Sequence, residues 1–430
     1  MKRYLLTTLL TLVTVLFAAT SWAQHGWPAD FWAWRQQLIL LSGLLLMAIM
    51  AAAMVLATRA PWLENRLAGL DKVYRIHRRL GIASGLLLAA HWLLKLSPPL
   101  AKTLGLAAPM LRHGARHGGG FSLIGLAHGI GSWSAYAVLA LVLLSLLRLL
   151  PYGFWRKLHT LFAPLFLLGA FHGAILLPGA FWLTPVGALY ALTMLAGGLA
   201  ALWVVAGRLG HGRRHAGTIV SVQTPQPGVV EVCCQMDGDW PGHRAGQFAR
   251  VTFDAAEGAH PFSIANGDNP ERQLRFLIKA LGDYTGRLAD TLAPGMAVTV
   301  EGPYGRFLPA PAARPQAWVA GGIGITPFMA WLDSFAGHGR VLDQVDFYYC
   351  VPSAEQALQL PRLQAQCQAA GVRLHLLESR HGARLRADML PEVDDVWFCG
   401  PQAMGQTLAD DLARRPGRKP RFHAEMFAMR

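Results

Sequence analysis

Four histidines lie in apolar stretches of this 430-residue chain: His77 and His91 are 14 positions apart, and His159 and His172 are 13 apart. An ionisable side chain in such a setting is costly unless it faces a bundle interior or a cofactor. Neutral imidazole is a good axial ligand for iron. One imidazole on each side closes both axial positions, which suits electron transfer better than oxygen binding at the metal. At about 1.5 Å per helical residue the two levels lie about 20 Å apart. The pattern therefore predicts two b-type haems, one held by His77 and His159, the other by His91 and His172. Helical phase fits the first pair better: fourteen residues return to within about 40° of the starting face, whereas thirteen miss by about 140°. Pro164 lies between His159 and His172, and a proline kink can re-phase a helix. Ser84 and Phe166 fall midway within the pairs, and Phe166 could sit between the haems. His128 reads as an interface residue. Arg112, His113, Arg116 and His117 read as a basic loop able to draw in an anionic chelate or superoxide.

The elements that must position these groups are apolar runs over residues 4–23, 38–57, 80–96, 121–147, 158–177 and 181–206. Most approach or exceed the roughly 20 residues that cross a bilayer. The composition agrees: 53% hydrophobic residues, only 15% charged and a mean hydropathy of +0.31. That content excludes a disordered or fibrous chain. The five cysteines all fall in the second half, which excludes a disulfide scaffold. A net charge of +14 suits either nucleic acid or the inner loops of a membrane protein, and the apolar runs decide for the lipid bilayer. Lys and Arg cluster in the loops that are inner when the N-terminus is inside, including Arg66, Lys72, Arg75, Arg78, Arg79, Arg156 and Lys157. Arg35, Lys95 and Lys102 fall to the outer loops. This places everything beyond Arg208 in the cytoplasm of a bacterial-type inner membrane. The first run, flanked by Lys2, Arg3 and Ser21-Trp22-Ala23, suits both a retained helix and a cleaved secretory signal.

After residue 210 the texture changes to short β-like runs between Gly/Pro turns, at 218–222, 229–234, 248–253, 274–280 and 298–301. From about Gln316, strands alternate with helical stretches, the signature of a parallel α/β sheet. A strand, glycine turn and helix start at Gly321-Gly322-Ile323-Gly324-Ile325-Thr326 would let backbone N–H groups approach a pyrophosphate at a helix N-terminus. His260-Pro261-Phe262-Ser263, Lys279 with Gly282-Asp283-Tyr284-Thr285, Cys399-Gly400-Pro401 and Glu425-Met426-Phe427 complete an ordered set. Arg380, after the strand at 373–377, could pair with a 2′-phosphate and favour NADPH. Glu355 could instead bind a ribose and favour NADH.

This motif set resembles the ferredoxin–NADP reductase superfamily. Joined to four intramembrane histidines, it resembles the ferric reductase / NADPH oxidase superfamily. The resemblance implies an all-α six-helix transmembrane haem domain (24–210, with 1–23 as first helix or signal), an antiparallel β-barrel FAD domain (211–310) and an α/β NAD(P)-binding domain with a parallel sheet (311–430). It implies that His260, Pro261, Phe262 and Ser263 hold the isoalloxazine of FAD, with the Ser263 hydroxyl near N5. Lys279, Gly282, Tyr284 and Thr285 would cradle the FAD pyrophosphate. Gly321, Gly322, Gly324 and Thr326 would bind the dinucleotide, Cys399, Gly400 and Pro401 would place the nicotinamide, and Glu425 and Phe427 would cover the flavin. The activity implied is electron transfer from cytoplasmic NAD(P)H through FAD and both haems to a small outer acceptor, oxygen or a ferric chelate. A haem-free membrane-anchored flavin reductase, an electron donor to a periplasmic redox protein and a redox-sensing transporter are the rivals. Nucleic acid is not an expected partner, and any protein partner is left open. No P-loop lysine motif, G-x-S-x-G elbow or C-x-x-C competes.

Overall fold

The apolar runs of the first half form helices because nothing in them opposes it: they are long, rich in Leu and Ala, and in lipid every backbone group must bond within its own segment. The computed structural model describes residues 5–67, 69–105, 122–147, 149–309, 314–337, 339 and 341–425. Two compact units divide the chain near residue 210. The first holds helices α1 (Leu5–His25), α2 (Phe31–Ala57), α3 (Pro61–Leu67), α4 (Leu70–Thr103), α5 (Leu123–Leu147), α6 (Tyr152–His159), α7 (Phe162–Leu176), α8 (Gly179–Trp182) and α9 (Pro185–Val205). Among the described residues, six membrane-length apolar segments result, α6 and α7 together forming one. α2 lies innermost, packed against α1, α7 and α9. A Cβ on Gly197 of α9 would come within 2.9 Å of the Ala51 Cα of α2, the close approach that small residues permit between membrane helices. α1 is part of this packing: Val13 and Phe17 are buried in the bundle core, and the Phe17 ring lies 5.8 Å from that of Phe181.

Two prolines and one arginine shape α4. Pro98 and Pro99 lie inside the helix and have no N–H for the carbonyls four residues back, Leu94 and Lys95. Those are the carbonyls that Arg35 of α2 serves: its Nε donates to Leu94 O at 3.0 Å and its Nη2 to Lys95 O at 3.1 Å. The helix thus continues to Thr103. Arg35, Lys95 and Lys102, expected in outer loops, lie on helices: Arg35 on α2, and the two lysines on α4, which runs on past its prolines because a guanidinium replaces the donors they lack.

The expected fifth span is two helices. Pro164 cannot donate to Thr160 O, and that carbonyl takes the Ala163 N–H instead, at 3.1 Å. Thr160 and Leu161 likewise bond three residues back, to Lys157 O and Leu158 O. Each residue wound this way advances about 120° rather than 100°. The re-phasing expected from a kink at Pro164 is therefore an interruption at 160–161, between the two histidines.

The second unit opens with β1 (Arg214–Gln226), β2 (Val229–Met236), β3 (Phe248–Thr252), β4 (His260–Ser263), β5 (Gln273–Lys279), α10 (Asp283–Thr291) and β6 (Ala297–Tyr304). The strands lie in the order β4-β3-β6-β1-β2-β5, antiparallel throughout. A bridge from Ile264 to Phe276 joins the two outermost strands and closes the barrel. Then follow β7 (Gln316–Gly321), α11 (Thr326–Gly337), β8 (Val345–Val351), α12 (Leu360–Ala370), β9 (Arg373–Glu378), β10 (Asp395–Cys399), α13 (Gln402–Arg414) and β11 (Arg421–Glu425). These five strands are parallel, in the order β11-β10-β7-β8-β9. Each central strand is buried on both faces, as β7 is at every position, which explains its continuous apolar run. Barrel and sheet pack on each other: Phe307 stacks on Trp331 at 4.9 Å, and Arg275 pairs with Asp333 at 2.9 Å.

The two edges of the parallel sheet are built alike. Asp346 of β8 faces Arg373 of β9, with Tyr348 opposite His375 two residues on. Asp395 of β10 faces Arg421 of β11, with Trp397 opposite His423. In each, Asp accepts from Arg at 2.6 Å and from His at 2.8 or 2.7 Å, and the imidazole stacks on the aromatic ring. The Arg373 hydrogen bond holds Asp346 below the usual carboxylate range. Burial pushes Asp395 upward, but its bonds from His423 and Arg421 outweigh that and leave it lowered. Charged edge strands of this kind also discourage pairing with another chain.

Candidate electron-transfer sites

α4 carries His77 and His91 three to four turns apart, and the break after α6 lets His159 and His172 face different neighbours. The His77 and His159 rings approach to 6.0 Å between centroids at an interplanar angle of 63°. An imidazole–metal bond is about 2 Å, so two rings sharing one metal have centres about 6 Å apart, and this pair is already at that spacing. At the other level, His91 and His172 lie within electrostatic range of each other.

Three of these rings have their second nitrogen engaged. His77 Nδ1 donates to Ala53 O at 3.0 Å and His172 Nδ1 to Ala127 O at 2.8 Å. His91 Nδ1 lies 2.9 Å from Ser42 Oγ. The Ser42 hydroxyl proton is committed to Ile39 O at 3.0 Å, so the serine oxygen accepts from His91. In each case Nδ1 carries the proton and Nε2 keeps its lone pair, the arrangement that orients a metal-bound histidine. His159 is the exception: its Nδ1 is buried without a hydrogen-bond partner, as is Ser84 Oγ between His77 and His91 on α4. Glycine makes room for the rings. A Cβ on Gly131 would fall on the His172 imidazole. Phe166 is fully buried and would collide with a side chain at Gly197. Orphaned polar atoms, paired imidazoles and space kept by glycine together fit two bis-histidine haems. Among the described residues no trio of His, Cys, Asp or Glu forms a protein-only metal cage.

His128, expected as a plain interface residue, lies beside the second level, its ring 6.4 Å from that of His172. Sequence reasoning passed over Ser42 and Gly131, and gave Arg35 only to an outer loop. The available signal was a serine in the long apolar stretch of α2 and an arginine near its start. Arg112, His113, Arg116 and His117 lie outside the described residues.

In the barrel, β3 and β4 pair so that Phe248 faces Ser263 and Val251 faces His260. The His260 ring stacks on Tyr284 at 4.3 Å, joining the HPFS strand to α10. Burial, with help from Glu257 and Asp254, pushes the Tyr284 phenol up to about 12, so it stays a neutral donor. Thr285 Oγ1 accepts from Leu281 N at 3.0 Å and Gly282 N at 3.2 Å, which shapes the turn at the α10 N-terminus. A Cβ on Gly282 or Gly286 would meet nothing, so that turn is open to a ligand, and Lys279 is exposed beside it. Gly305, at φ +100°, brings the backbone against Phe248 and within reach of Glu425. Glu425 is 3% exposed, so strand ends from barrel and sheet converge around Phe248, Ser263 and Glu425. Phe427 lies outside the described residues.

In the parallel sheet the chain leaves β7 toward β8 on one side and later fills β10 on the other. The crevice beyond the carboxyl ends of β7 and β10 is the switch point at which such sheets bind ligands. The glycines there divide their work. A Cβ on Gly324 would strike Cys399 O, and one on Gly321 would lie 2.6 Å from Pro401, so these two let the loops after β7 and β10 touch. Gly322 is the one at positive φ, +54°, with open space around it. Thr326, expected to bind the dinucleotide, turns its hydroxyl inward to Ile323 O at 2.8 Å and is buried. Cys399 is buried opposite Glu425, and burial with that carboxylate raises its thiol well above the usual value, so it acts as packing beside Gly400 and Pro401 rather than as a thiolate. At the other side of the crevice, Arg380 N bonds Pro352 O at 3.0 Å and Glu378 accepts from Ala354 N at 2.7 Å, which brings exposed Arg380 and Glu355 to the same mouth.

Comparison with known proteins agrees with this geometry. Residues 42–170 match the model of the ferric reductase like transmembrane component, and residues 215–307 match an FAD-binding domain. The ferredoxin–NAD(+) reductase component of the alkene monooxygenase system of Xanthobacter autotrophicus is 37% identical over half of this chain and 68% of its own length. Vanillate O-demethylase oxidoreductase of Pseudomonas putida is 27% identical over 42% of this chain and 58% of its own. The chain thus spans only part of these relatives. Flavohemoglobin from Malassezia yamatoensis is alike in fold alone, with a TM-score of 0.51 at 15% identity over 92% of this chain and 99% of that one. The transmembrane and FAD-binding matches lie in tandem, and the chain belongs to the ferric reductase / NADPH oxidase superfamily, as a multi-pass membrane oxidoreductase with a fused flavin reductase module.

Proposed function

We propose that this chain takes electrons from NAD(P)H on the cytoplasmic side of a bacterial-type inner membrane and delivers them to a small acceptor on the outer side. The balance is simple: NAD(P)H gives two electrons and one proton is released, and two oxygen molecules or two ferric ions each take one electron, giving superoxide or ferrous iron. When bound, FAD couples a two-electron donor to one-electron chemistry, and haem iron relays single electrons. The residues do the rest. His260, Pro261, Phe262 and Ser263 with Tyr284 form one wall for a flavin, and Lys279, Gly282 and Thr285 an open turn for its pyrophosphate. Gly321, Gly322 and Gly324 with Cys399, Gly400 and Pro401 form the crevice for the dinucleotide. His77 with His159, and His91 with His172, would hold the two haems.

The observation that carries this reading is the fixed tautomer of three of the four imidazoles, each with Nε2 left unprotonated in a bundle joined to a reductase module. Haem content tests it. The purified full chain should carry two haems, and His77→Ala or His91→Ala should each leave one. A wild-type chain without haem defeats the reading.

Arg380 at the crevice mouth favours NADPH, since a guanidinium pairs bidentately with a 2′-phosphate. Arg380→Ala should raise KM for NADPH about tenfold and leave KM for NADH unchanged. Equal effects on both would remove that role.

A further inference from the structure

Between Lys72 and Val230 the sequence contains no Asp and no Glu, and before that stretch only Asp30, Glu64 and Asp71 occur. Within the bundle, Lys95 therefore has almost nothing of opposite charge to meet. Asp71 lies 24 residues down the same helix, about 36 Å away. Glu64 is on α3, before that helix begins. Asp30 caps α2, accepting from Ala33 N at 2.8 Å.

Lys95 is nevertheless held in place. It lies one turn beyond His91 on α4, on the same face. Its Nζ donates to Ser132 Oγ of α5 at 2.7 Å and stands 4.9 Å from the Trp92 ring centre. The Ser132 proton goes to His128 O at 2.9 Å, so the serine oxygen is a committed acceptor. His91, His128 and His172 all lie within electrostatic range of the ammonium. An ammonium has three donors, and among the described residues Ser132 is the acceptor that uses one of them. A fixed cation among three imidazoles, in a half of the bundle whose one carboxylate, Asp30, is engaged in capping α2, attracts an anion, because an uncompensated charge there is costly.

We propose that Lys95, held by Ser132 and Trp92 at the His91–His172 level, is the anchor for a carboxylate of a bound ligand. This rests on the electron path proposed above. A carboxylate can come from two sources at this level: a propionate of the haem held by His91 and His172, or the chelator of a ferric acceptor. Either would place the ammonium against the anion with a charge-assisted bond.

Two substitutions in the full chain separate charge from mere hydrogen bonding. Lys95→Gln keeps a donor for Ser132 and removes the charge, and Lys95→Arg keeps the charge. Haem content, the midpoint potentials and KM for ferric citrate are measured for each. A propionate partner predicts that Lys95→Gln loses the second haem or lowers its midpoint potential, since removing a nearby positive charge disfavours the reduced state, while KM for ferric citrate in the haem-replete fraction is unchanged. A chelate partner predicts unchanged haem and a KM for ferric citrate raised about tenfold, with the oxygen reaction unaffected. Lys95→Arg should behave as wild type in both cases. Two haems in the wild type with an indifferent Lys95→Gln chain overturns the carboxylate site alone. A wild-type chain without haem overturns the electron path and this proposal with it.

Discussion

At the scale of single residues, the capacity of the four histidines to hold the proposed haems turns on which ring nitrogen carries a proton. Backbone carbonyls of Ala53 and Ala127 serve His77 and His172, but His91 depends on a side chain, Ser42. That makes one level open to a clean substitution. Ser42→Ala leaves His91 Nδ1–H without its acceptor, and outer-shell partners of metal-bound histidines are worth about 10–100-fold in affinity. Haem should then dissociate at least about tenfold faster from the His91–His172 level, while the His77–His159 level is unchanged. Equal loss from both levels would mean that Ser42 acts on bundle packing instead. The histidines themselves were legible in the sequence, because an imidazole in an apolar run stands out. Ser42 and Gly131 were not. A serine in a membrane helix most often bonds its own backbone, and nothing in the sequence shows that a Cβ at Gly131 would land on an imidazole two helices later.

Elements carry a second layer of design. The α6/α7 break shows why helical phase misjudged the second histidine pair: the arithmetic assumed one continuous helix, and Pro164 ends that continuity by withholding a donor from Thr160 O. The Arg35 clamp shows the reverse, two prolines tolerated because an arginine two helices earlier serves the stranded carbonyls. The first repair is local, made by the Ala163 N–H three residues on, whereas the second spans 59 residues. The edge clamps of the parallel sheet make a prediction about pH. Asp346 and Asp395 are both held below their ordinary value. A carboxylate lowered on folding contributes stability that is full above its unfolded value of about 3.9 and is lost as pH falls through the lower folded value. Thermal unfolding of the full chain, followed by flavin release, should therefore weaken steeply below about pH 4. Asp395→Asn should be less stable than wild type at neutral pH, with a flatter acid limb. A parallel acid limb in the variant would show that the clamp adds nothing.

For the whole molecule, the sequence carried the architecture further than the chemistry. Apolar run lengths and the change of texture near residue 210 located the bundle and the reductase module, since burial and periodicity are written in composition. The order of glycine, proline and aromatic motifs suggested a flavin strand and a nucleotide loop, and those segments are a barrel strand, β4, and the turn after β7. What stayed hidden was division of labour among similar residues. Gly321 and Gly324 pack the loop, Gly322 alone keeps its face open, and Thr326 turns inward. Those roles depend on what the loop after β10 brings alongside, more than seventy residues later.

The central claim is that one chain joins a nicotinamide-dependent flavin module to two haems in the membrane. It is tested most directly by an anaerobic visible spectrum of the detergent-solubilised full chain, before and after NADPH, with dithionite as the fully reduced reference. The account predicts the spectrum of two b-type haems, reduced by NADPH to the dithionite level and re-oxidised on adding oxygen or a ferric chelate. Flavin bleaching by NADPH with no haem signal would contradict it and leave a membrane-anchored flavin reductase.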